Sequence, residues 1–400
     1  MTEELTHIDH RDIGIQQELF FFNEVTPGCA FWLPKGTRIY NKLQSFIRDE
    51  YFRRGFEEVK TPMIAKKDLW EISGHWDKYK EHMFRFDCDN TEYSMKPMNC
   101  PYHCLMFGHR VRSYRELPLR FADFGSLHRN EFSGALSGLN RVRTFAQDDS
   151  HIFCTFNQLQ EEMFSALEFF KDVYGKFGFQ FDVGLSTRPE KFIGKIEIWD
   201  QAEAVLKIVL DESGLKWNLY QQEGAFYGPK IDIHLKDSLN RKHQCATIQL
   251  DFQLPSKERF NLKYIDENQE LQTPVIIHRA IYGSFERFIS ILCEHYAGKW
   301  PFWLSPNQAI VIPVSEKFLD YAKQIQNNLR LFKYYVDVDS SDNTLPKKIR
   351  EAQVHQYNYI LVVGQKEVTN NTITARYRDT CEIKVMDMGD LLNEMKSLKH

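Results

Sequence analysis

The residues with the most obvious chemistry form two groups. Arg129 and Glu131 alternate, Arg141 and Arg143 alternate, and Phe145 and Gln147 continue the second series. Side chains of a strand point to opposite faces in turn, so on two paired strands these residues share one face. Guanidiniums, a carboxylate and an aromatic ring together suit a nucleotide, with arginine on phosphate and the ring on the base. The same charges also suit an exposed salt-bridged hairpin, and spacing does not choose between the two. Arg287 follows Gly283-Ser284 at the start of an expected helix, where an anion is favoured. The second group is Cys100, His103, Cys104, His151 and His278, all of metal-ligating type. The run from Cys100 to Cys104 resembles half a zinc knuckle without a second half at matching spacing. Metal binding and ordinary buried cysteines and histidines therefore both stay open.

These residues need a scaffold, and the composition supplies one. Of 400 residues, 42% are hydrophobic and 26% charged, which excludes a disordered chain and suggests two to four domains. No run of 18 apolar residues occurs, so no membrane-spanning helix is expected. The first eleven residues (MTEELTHIDHR) read as neither a secretory signal nor a transit peptide. Eight irregularly spaced cysteines do not make a disulfide framework and suit a reducing, cytoplasmic setting. The net charge of −4 gives no global basic signal, and residues 301–400 are close to neutral. An RNA partner would have to be held by a few specific side chains.

The pattern changes at Trp300-Pro301-Phe302-Trp303-Leu304-Ser305-Pro306. Before it, Ile39, Leu43, Phe46 and Ile47 mark an amphipathic helix, followed by a strand over 57–61. A long hairpin is expected from strands 119–127 and 141–145. Helical faces recur at Leu159, Met163, Ala166, Leu167 and Phe170, and at Trp199, Ala202, Leu206 and Leu210, the latter stopped by Gly214. Residues 246–252 read as a strand and 278–290 as a strand running into a helix. Strands outnumber crossovers, so an α+β domain with a mostly antiparallel sheet is expected. After Pro306, strands at 309–314, 334–338 and 359–363 alternate with helices capped at Ser315 and starting at Thr344. An edge strand at 372–377 and a helix at 391–398 follow. This order predicts a small α/β domain with a doubly wound sheet.

The site residues fall inside recognisable motifs. Residues 36–62 (GTRIYNKLQSFIRDEYFRRGFEEVKTP), 124–145 (FGSLHRNEFSGALSGLNRVRTF) and 278–288 (HRAIYGSFERF) resemble, in order, the three signature motifs of class II aminoacyl-tRNA synthetases. KPMNCP at 96–101, QDDSHIFC at 147–154, LSTRPEK at 185–191, GAFYGPK at 224–230 and QLDFQLP at 249–255 resemble the threonyl-tRNA synthetases within that class. The likeness runs from about residue 10 to the C-terminus.

The resemblance implies residues 1–300 as the catalytic domain and 301–400 as the anticodon-binding domain. It implies a threonine–tRNA ligase that uses ATP with Mg2+, L-threonine and tRNA(Thr), and a homodimer built on motif 1. It implies one Zn2+ per chain on Cys100, His151 and His278, with His103 and Cys104 as bystanders. Three protein ligands leave zinc a free position, which the amino nitrogen and hydroxyl of threonine fill and valine does not. By the same likeness Arg129 and Arg287 hold ATP phosphates, Glu131 reads the adenine amino group and Phe145 stacks on the ring. Arg141, Lys230, Gln244 and Thr247 are further ATP contacts, and Asp149, Tyr227 and Gln249 form the threonine pocket. His75 assists attack by the terminal ribose hydroxyl of tRNA. Glu367 and Arg376 read anticodon bases, with Lys348 and Arg350 nearby on a basic helix face.

Two departures accompany the likeness. Tyr102 stands where the family pattern has glycine, which would ease a tight turn beside Cys100. Only about thirty residues precede motif 1, so no N-terminal editing region is expected within this sequence. A non-catalytic relative, kept as a module for RNA or another partner, would be expected to lack an ATP arginine or a metal ligand; none is missing.

Overall fold

The computed structural model describes residues 9–225, 227–236 and 241–398, with Gln244 described by its backbone alone. By contact density the chain divides into two units, one holding residues 22–30 and 44–292, the other residues 9–21, 31–43 and 293 onward. Among the described residues, no helix is long and apolar enough to cross a membrane.

The helix expected from Ile39, Leu43 and Ile47 is α1 (Pro34–Arg53), and these three side chains are buried. The strand after it, β1 (Glu57–Glu58), is shorter than the expected 57–61. Two short helices follow, α2 (Lys67–Ser73) and α3 (His75–Tyr79), then α4 (Cys100–Gly108). The later elements that position the site are β2 (Leu119–Asp123), β3 (Ser126–His128), β4 (Thr144–Cys154), α5 (Leu159–Phe177), β5 (Gln180–Ser186), α6 (Ile196–Glu212), β6 (Trp217–Tyr220), β7 (Lys230–Lys236), β8 (Lys242–Asp251), β9 (Val275–Ser284) and α7 (Phe285–Tyr296).

Among the described residues, nine strands form one sheet in the order β6-β5-β7-β8-β9-β4-β2-β1, with β3 also paired to β4. Only the outermost pairs, β5 with β6 and β1 with β2, are parallel. The sheet is thus mostly antiparallel, as the strand spacing predicts. The expected hairpin differs in detail. Its first strand breaks into β2 and β3, and its second starts at Thr144 rather than Arg141.

One face of the sheet is closed by aromatic packing. Tyr174 of α5 donates to the Ile281 carbonyl at 2.6 Å, and Phe177 packs edge-on against Phe288 at 5.1 Å. Arg279 points to this same side. Its guanidinium lies over the rings of Tyr51, Phe56 and Phe169 at 5.1, 4.6 and 4.6 Å. Gly283, one residue before the end of β9, has φ +76°, and a Cβ there would meet the Cys245 carbonyl oxygen at 2.2 Å, so no side chain fits this turn into α7.

The second unit contains β10 (Ala309–Pro313), α8 (Leu319–Leu331), β11 (Val336–Val338), α9 (Leu345–Val354), β12 (Tyr359–Val363), α10 (Gln365–Asn370), β13 (Ile373–Tyr377), β14 (Ile383–Met386) and α11 (Met388–Ser397). The sheet order is β11-β10-β12-β13-β14, parallel across the first three strands and antiparallel beyond. Ala309 and Val311 enter one apolar cluster with Ala322, Ile325 and Leu329, while Ile310 and Ile312 enter another with Ala352 and Tyr357. A strand buried on both faces gives a continuous apolar run rather than alternation, which is what 309–313 shows. Two expectations need correction. β13 is not an edge strand, because β14 pairs outside it. Ser315 makes no side-chain cap; a 3-10 turn, Glu316–Phe318, intervenes before α8.

A buried carboxylate sets the irregular end of β9. Asp148 accepts from the backbone N–H groups of Ile281 and Tyr282 at 2.7 and 2.9 Å and from the Tyr51 hydroxyl at 3.1 Å. Burial pushes its carboxyl up to about 7, against the opposing pull of these donors. A raised folded pKa contributes stability below the unfolded value of 3.8 that is lost as pH rises towards 7. Asp148→Ala should cost about 3 kcal/mol or more by leaving buried donors unpaired. Asp148→Asn should remove this part of the pH dependence, so the stability difference between pH 5 and 7 in urea unfolding should shrink. An unchanged difference would refute the assignment.

Candidate active site

Strand register explains how distant residues meet. His151 of β4 lies opposite His278 of β9, His278 opposite Gln249 of β8, and Gln249 opposite Lys230 of β7. Directly opposed residues of antiparallel strands share a face. Two residues along the strands lies the row Asp149, Ala280, Thr247 and Asp232, and since side chains alternate it is on that same face. Six of the sequence-predicted residues are therefore aligned by β-pairing alone. This face is the one opposite to Arg279.

The ligating atoms of Cys100, His151 and His278 all lie within 4.8 Å of one another. Cys100 opens α4 and is buried, as is His151. Burial raises the Cys100 thiol pKa and lowers that of the His151 imidazole, so both favour their neutral forms without a cation. A soft thiol and two imidazoles converging from three elements form a donor set suited to zinc or a similar transition metal. Two further residues stand behind the rings. Asp251 Oδ2 is 2.9 Å from His278 Nε2, and His103 Nδ1 is 2.8 Å from His151 Nδ1. Cys104 is buried in the apolar cluster of Phe107 and Leu262 and is outside the ligand group. Tyr102 does not reshape a turn: it lies in helical α4 and packs edge-on against Trp70 at 5.8 Å.

A cavity of about 410 Å³ opens beside this cluster, lined also by His75, Arg129, Asp149, Tyr227 and Gln249. Tyr227 donates to Gln249 Oε1 at 3.0 Å. Asp149 receives the Asn99 amide at 3.1 Å, and the wholly buried Lys96 donates to Asn99 Oδ1 at 2.9 Å and to Thr61 at 2.8 Å. His75 begins α3, with Nδ1 2.7 Å from Ser73 Oγ. Burial lowers its pKa to about 4, which keeps the ring neutral in ordinary buffer. Arg259 lines the same cavity and lies against Gly74, where a Cβ would sit 2.8 Å from its guanidinium.

The arginine-rich segment is assembled differently from the expected shared strand face. Arg129, Glu131, Arg141 and Arg143 lie outside β3 and β4. They are joined by loop contacts: Arg141 pairs with Glu131 at 2.9 Å, and Arg143 Nε donates to the Glu131 carbonyl at 2.9 Å. The Arg129 guanidinium sits 4.9 Å from the centre of the Phe145 ring and its Nε donates to the Pro97 carbonyl at 3.2 Å. Lys230 and Thr247 both reach Asp232, at 2.7 and 3.3 Å. Arg287 is half-buried in the first turn of α7, its backbone N–H bonded to Ser284 Oγ at 3.2 Å. The Gln244 side chain lies outside the described residues; its backbone pairs with His234.

In the second unit, Glu367 accepts from Thr374 Oγ1 at 2.8 Å, and Arg376 lies two residues further along the same face of β13. Arg350 is exposed on α9. Lys348 is not part of an exposed basic face: it is 5% exposed and its amine donates to the Asp339 carbonyl at 3.3 Å.

Sequence reasoning did not assign Lys96, Asn99, Asp232, Asp251 or Arg259. Asp251 had a signal, two residues beyond Gln249 on the same strand face. Asp232 had the same signal relative to Lys230.

Residues 84–296 match the model of the tRNA synthetase class II core domain (G, H, P, S and T), and residues 308–398 match that of the anticodon binding domain. The chain is 55% identical over 399 residues to threonine–tRNA ligase 1, cytoplasmic, of Rattus norvegicus and 53% identical over 396 residues to threonine–tRNA ligase, cytoplasmic, of Saccharomyces cerevisiae. These alignments take in 99% and 98% of this chain but 57% and 54% of the relatives, so the chain spans about half the length of the curated relatives it matches. The crystal structure of the RNA binding domain of threonyl-tRNA synthetase from Cryptosporidium parvum superposes with a TM-score of 0.94, at 53% identity over 98% of both chains. A putative threonyl-tRNA synthetase from Aeropyrum pernix gives a TM-score of 0.83 at 28% identity, over 98% of this chain and 96% of that one.

Metal titration tests the cluster directly. Cobalt(II) added to metal-stripped protein should bind at one site per chain and give a thiolate charge-transfer band, lost in Cys100→Ala and weakened in His278→Ala. Binding that never saturates, or a band that survives in Cys100→Ala, would show that these three side chains are not the ligands.

Proposed function

Because the chain belongs to the threonyl-tRNA synthetase family, with a class II catalytic core followed by an anticodon-binding domain, we propose that it joins threonine to tRNA(Thr) at the expense of ATP. The observation that carries this reading is one cavity in which Arg129, Asp149 and His75 surround the Cys100, His151 and His278 cluster. Within the proposal, residues 1–300 act in catalysis and residues 301–400 in anticodon recognition.

The first step breaks the bond between the α- and β-phosphates of Mg2+-bound ATP. A carboxylate oxygen of threonine attacks the α-phosphorus, pyrophosphate leaves, and threonyl-adenylate forms. Arg129, immobilised against Phe145 and the Pro97 carbonyl, stabilises the charge that grows on the α-phosphate. A guanidinium fixed in advance pays no reorganisation when that charge develops. Arg287 holds the outer phosphates. Glu131 accepts from the adenine amino group, Phe145 stacks on the base, and Arg141, Lys230, Gln244 and Thr247 complete the nucleotide site. Asp149, steadied by Asn99, and Gln249, steadied by Tyr227, present polar atoms to threonine. Zn2+ on Cys100, His151 and His278 supplies, when bound, a Lewis-acid position that accepts the amino and hydroxyl groups of threonine and has no use for the methyl of valine.

In the second step the terminal ribose hydroxyl of tRNA attacks the adenylate carbonyl and AMP leaves. His75 is neutral and able to take up the hydroxyl proton, with Nδ1 turned to Ser73 and Nε2 left for that proton. Glu367 and Arg376 read anticodon bases, and Arg350 supports the RNA from α9; Lys348, held by Asp339, contributes through that helix. A homodimer formed through α1 and β1, and a cytoplasmic location like that of the rat and yeast relatives, complete the reading.

Pyrophosphate exchange measured with single amino acids tests the reaction. Threonine should support exchange, valine should not, and serine, which lacks one methyl, should trail by roughly 10–200-fold. Exchange driven best by another amino acid would sink the proposal. Arg129→Ala should lower kcat by roughly 10²–10³; a loss confined to the threonine KM would contradict its role at the phosphate. Arg376→Ala should impair charging of tRNA while leaving exchange intact, and equal loss in both assays would mark it as a folding residue. Sedimentation should give a dimer at micromolar concentration; a fully active monomer would rule the dimer out.

A further inference from the structure

Asp251 and His103 each touch a ring nitrogen that turns away from the metal cluster. Asp251 is fully buried, and its two oxygens have separate tasks. Oδ1 accepts the backbone N–H groups of Gln253 and Leu254 at 2.7 and 3.0 Å, which anchors the carboxylate to the turn after β8. Oδ2 is left for His278 Nε2 at 2.9 Å. A carboxylate accepts and does not donate, so the proton of a neutral His278 belongs on Nε2. Its Nδ1 then carries a lone pair, and that nitrogen is the one 2.9 Å from His151 Nε2, inside the cluster.

His103 has the corresponding relation to His151. It is wholly buried and lies three residues after Cys100, on the same side of α4. Its Nδ1 is 2.8 Å from His151 Nδ1, with the rings 87° apart in plane and 4.7 Å between centres. His151 Nδ1–H donating to this nitrogen leaves His151 Nε2 with a lone pair facing His278 and Cys100. The proton of His103 then sits on Nε2, 3.8 Å from Asp123 Oδ2.

We propose that Asp251 and His103 are positioning residues for the metal centre, fixing which nitrogen of His278 and of His151 offers its lone pair to the ion. Neither is a ligand: Asp251 lies against the far nitrogen of His278, and His103 is separated from the cluster by the His151 ring. A ring held in the other tautomer would turn an N–H toward the cation and repel it. Partners of this kind orient histidine ligands and raise their basicity, and their loss typically weakens metal binding 10–100-fold. The inference rests on the metal reading under Proposed function.

Asp251→Asn separates positioning from packing. The asparagine keeps the shape and one acceptor for the Gln253 and Leu254 amides, but turned with its NH2 toward His278 it donates to Nε2 and forces the proton to Nδ1. His103→Asn retains an acceptor near the place of Nδ1, whereas His103→Leu removes it. The full chain and its variants are stripped of metal, checked by circular dichroism, and titrated with zinc against a competing chelator and with cobalt(II) for its absorption bands. Asp251→Asn and His103→Leu should each weaken zinc at least 10-fold and displace the cobalt bands, while His103→Asn stays close to the parent. Folded Asp251→Asn and His103→Leu proteins that bind zinc within twofold of the parent, with the same cobalt spectrum, would overturn the proposal. If His103→Leu does not fold, Asp251→Asn and His103→Asn decide by the same criteria. A parent chain that takes up no zinc would instead bring down the metal reading itself.

Discussion

The sheet face of the candidate site depends on the pairing register of β4, β9 and β8. His151, His278 and Gln249 are adjacent only because they are direct cross-strand partners. A slip of one residue in β9 would replace His278 by Arg279 on this face and send the histidine toward the aromatic side. That alternative is costly in both directions. Arg279 is matched to the rings of Tyr51, Phe56 and Phe169, and His278 would lose its place against Asp251. Asp148 secures the end of the register by holding the Ile281 and Tyr282 amides where β9 departs from regular pairing. The fold therefore fixes the site from behind.

The electrostatics follow from the same burial. Cys100, His151, Asp149 and Asp251 crowd around one cavity. Desolvation disfavours the charged forms of three of them, raising the Cys100 thiol and the Asp149 carboxyl and lowering the His151 imidazole. A neutral thiol, a neutral imidazole and a reluctant carboxylate in one cavity are a poor end state for a protein and a good receptor for a cation, which would compensate all three at once. The buried Lys96 belongs to this balance on the other side. It ties Asn99 and Thr61 together beside Asp123, and Asn99 in turn holds Asp149.

Much of this was legible in the sequence, for identifiable reasons. Amphipathic helices are written in local spacing, and Leu159 to Phe170 and Trp199 to Leu210 behave as that spacing predicts. Cys100, His151 and His278 were visible as types, yet 127 residues separate the two histidines, and no local rule announces that they are cross-strand partners; the likeness to known motifs chose them from the larger set. The arginine loop was misread because Arg129 to Arg143 alternates like a strand while its geometry comes from Glu131 contacts. Lys348 was misread because a lysine on a helix is usually solvated, whereas here Asp339 draws it inward. Asp251 was missed and His103 set aside as a bystander because nothing in their spacing says that an acid or a ring acts through a neighbouring ring.

Under the proposed function this sheet face activates threonine through a centre built on Cys100, His151 and His278. Threonine-dependent pyrophosphate exchange, followed in the metal-stripped chain and again after one equivalent of zinc is restored, tests it most directly. Exchange should fall to background on stripping and return with zinc. Full threonine-dependent exchange in the metal-free chain would contradict the account.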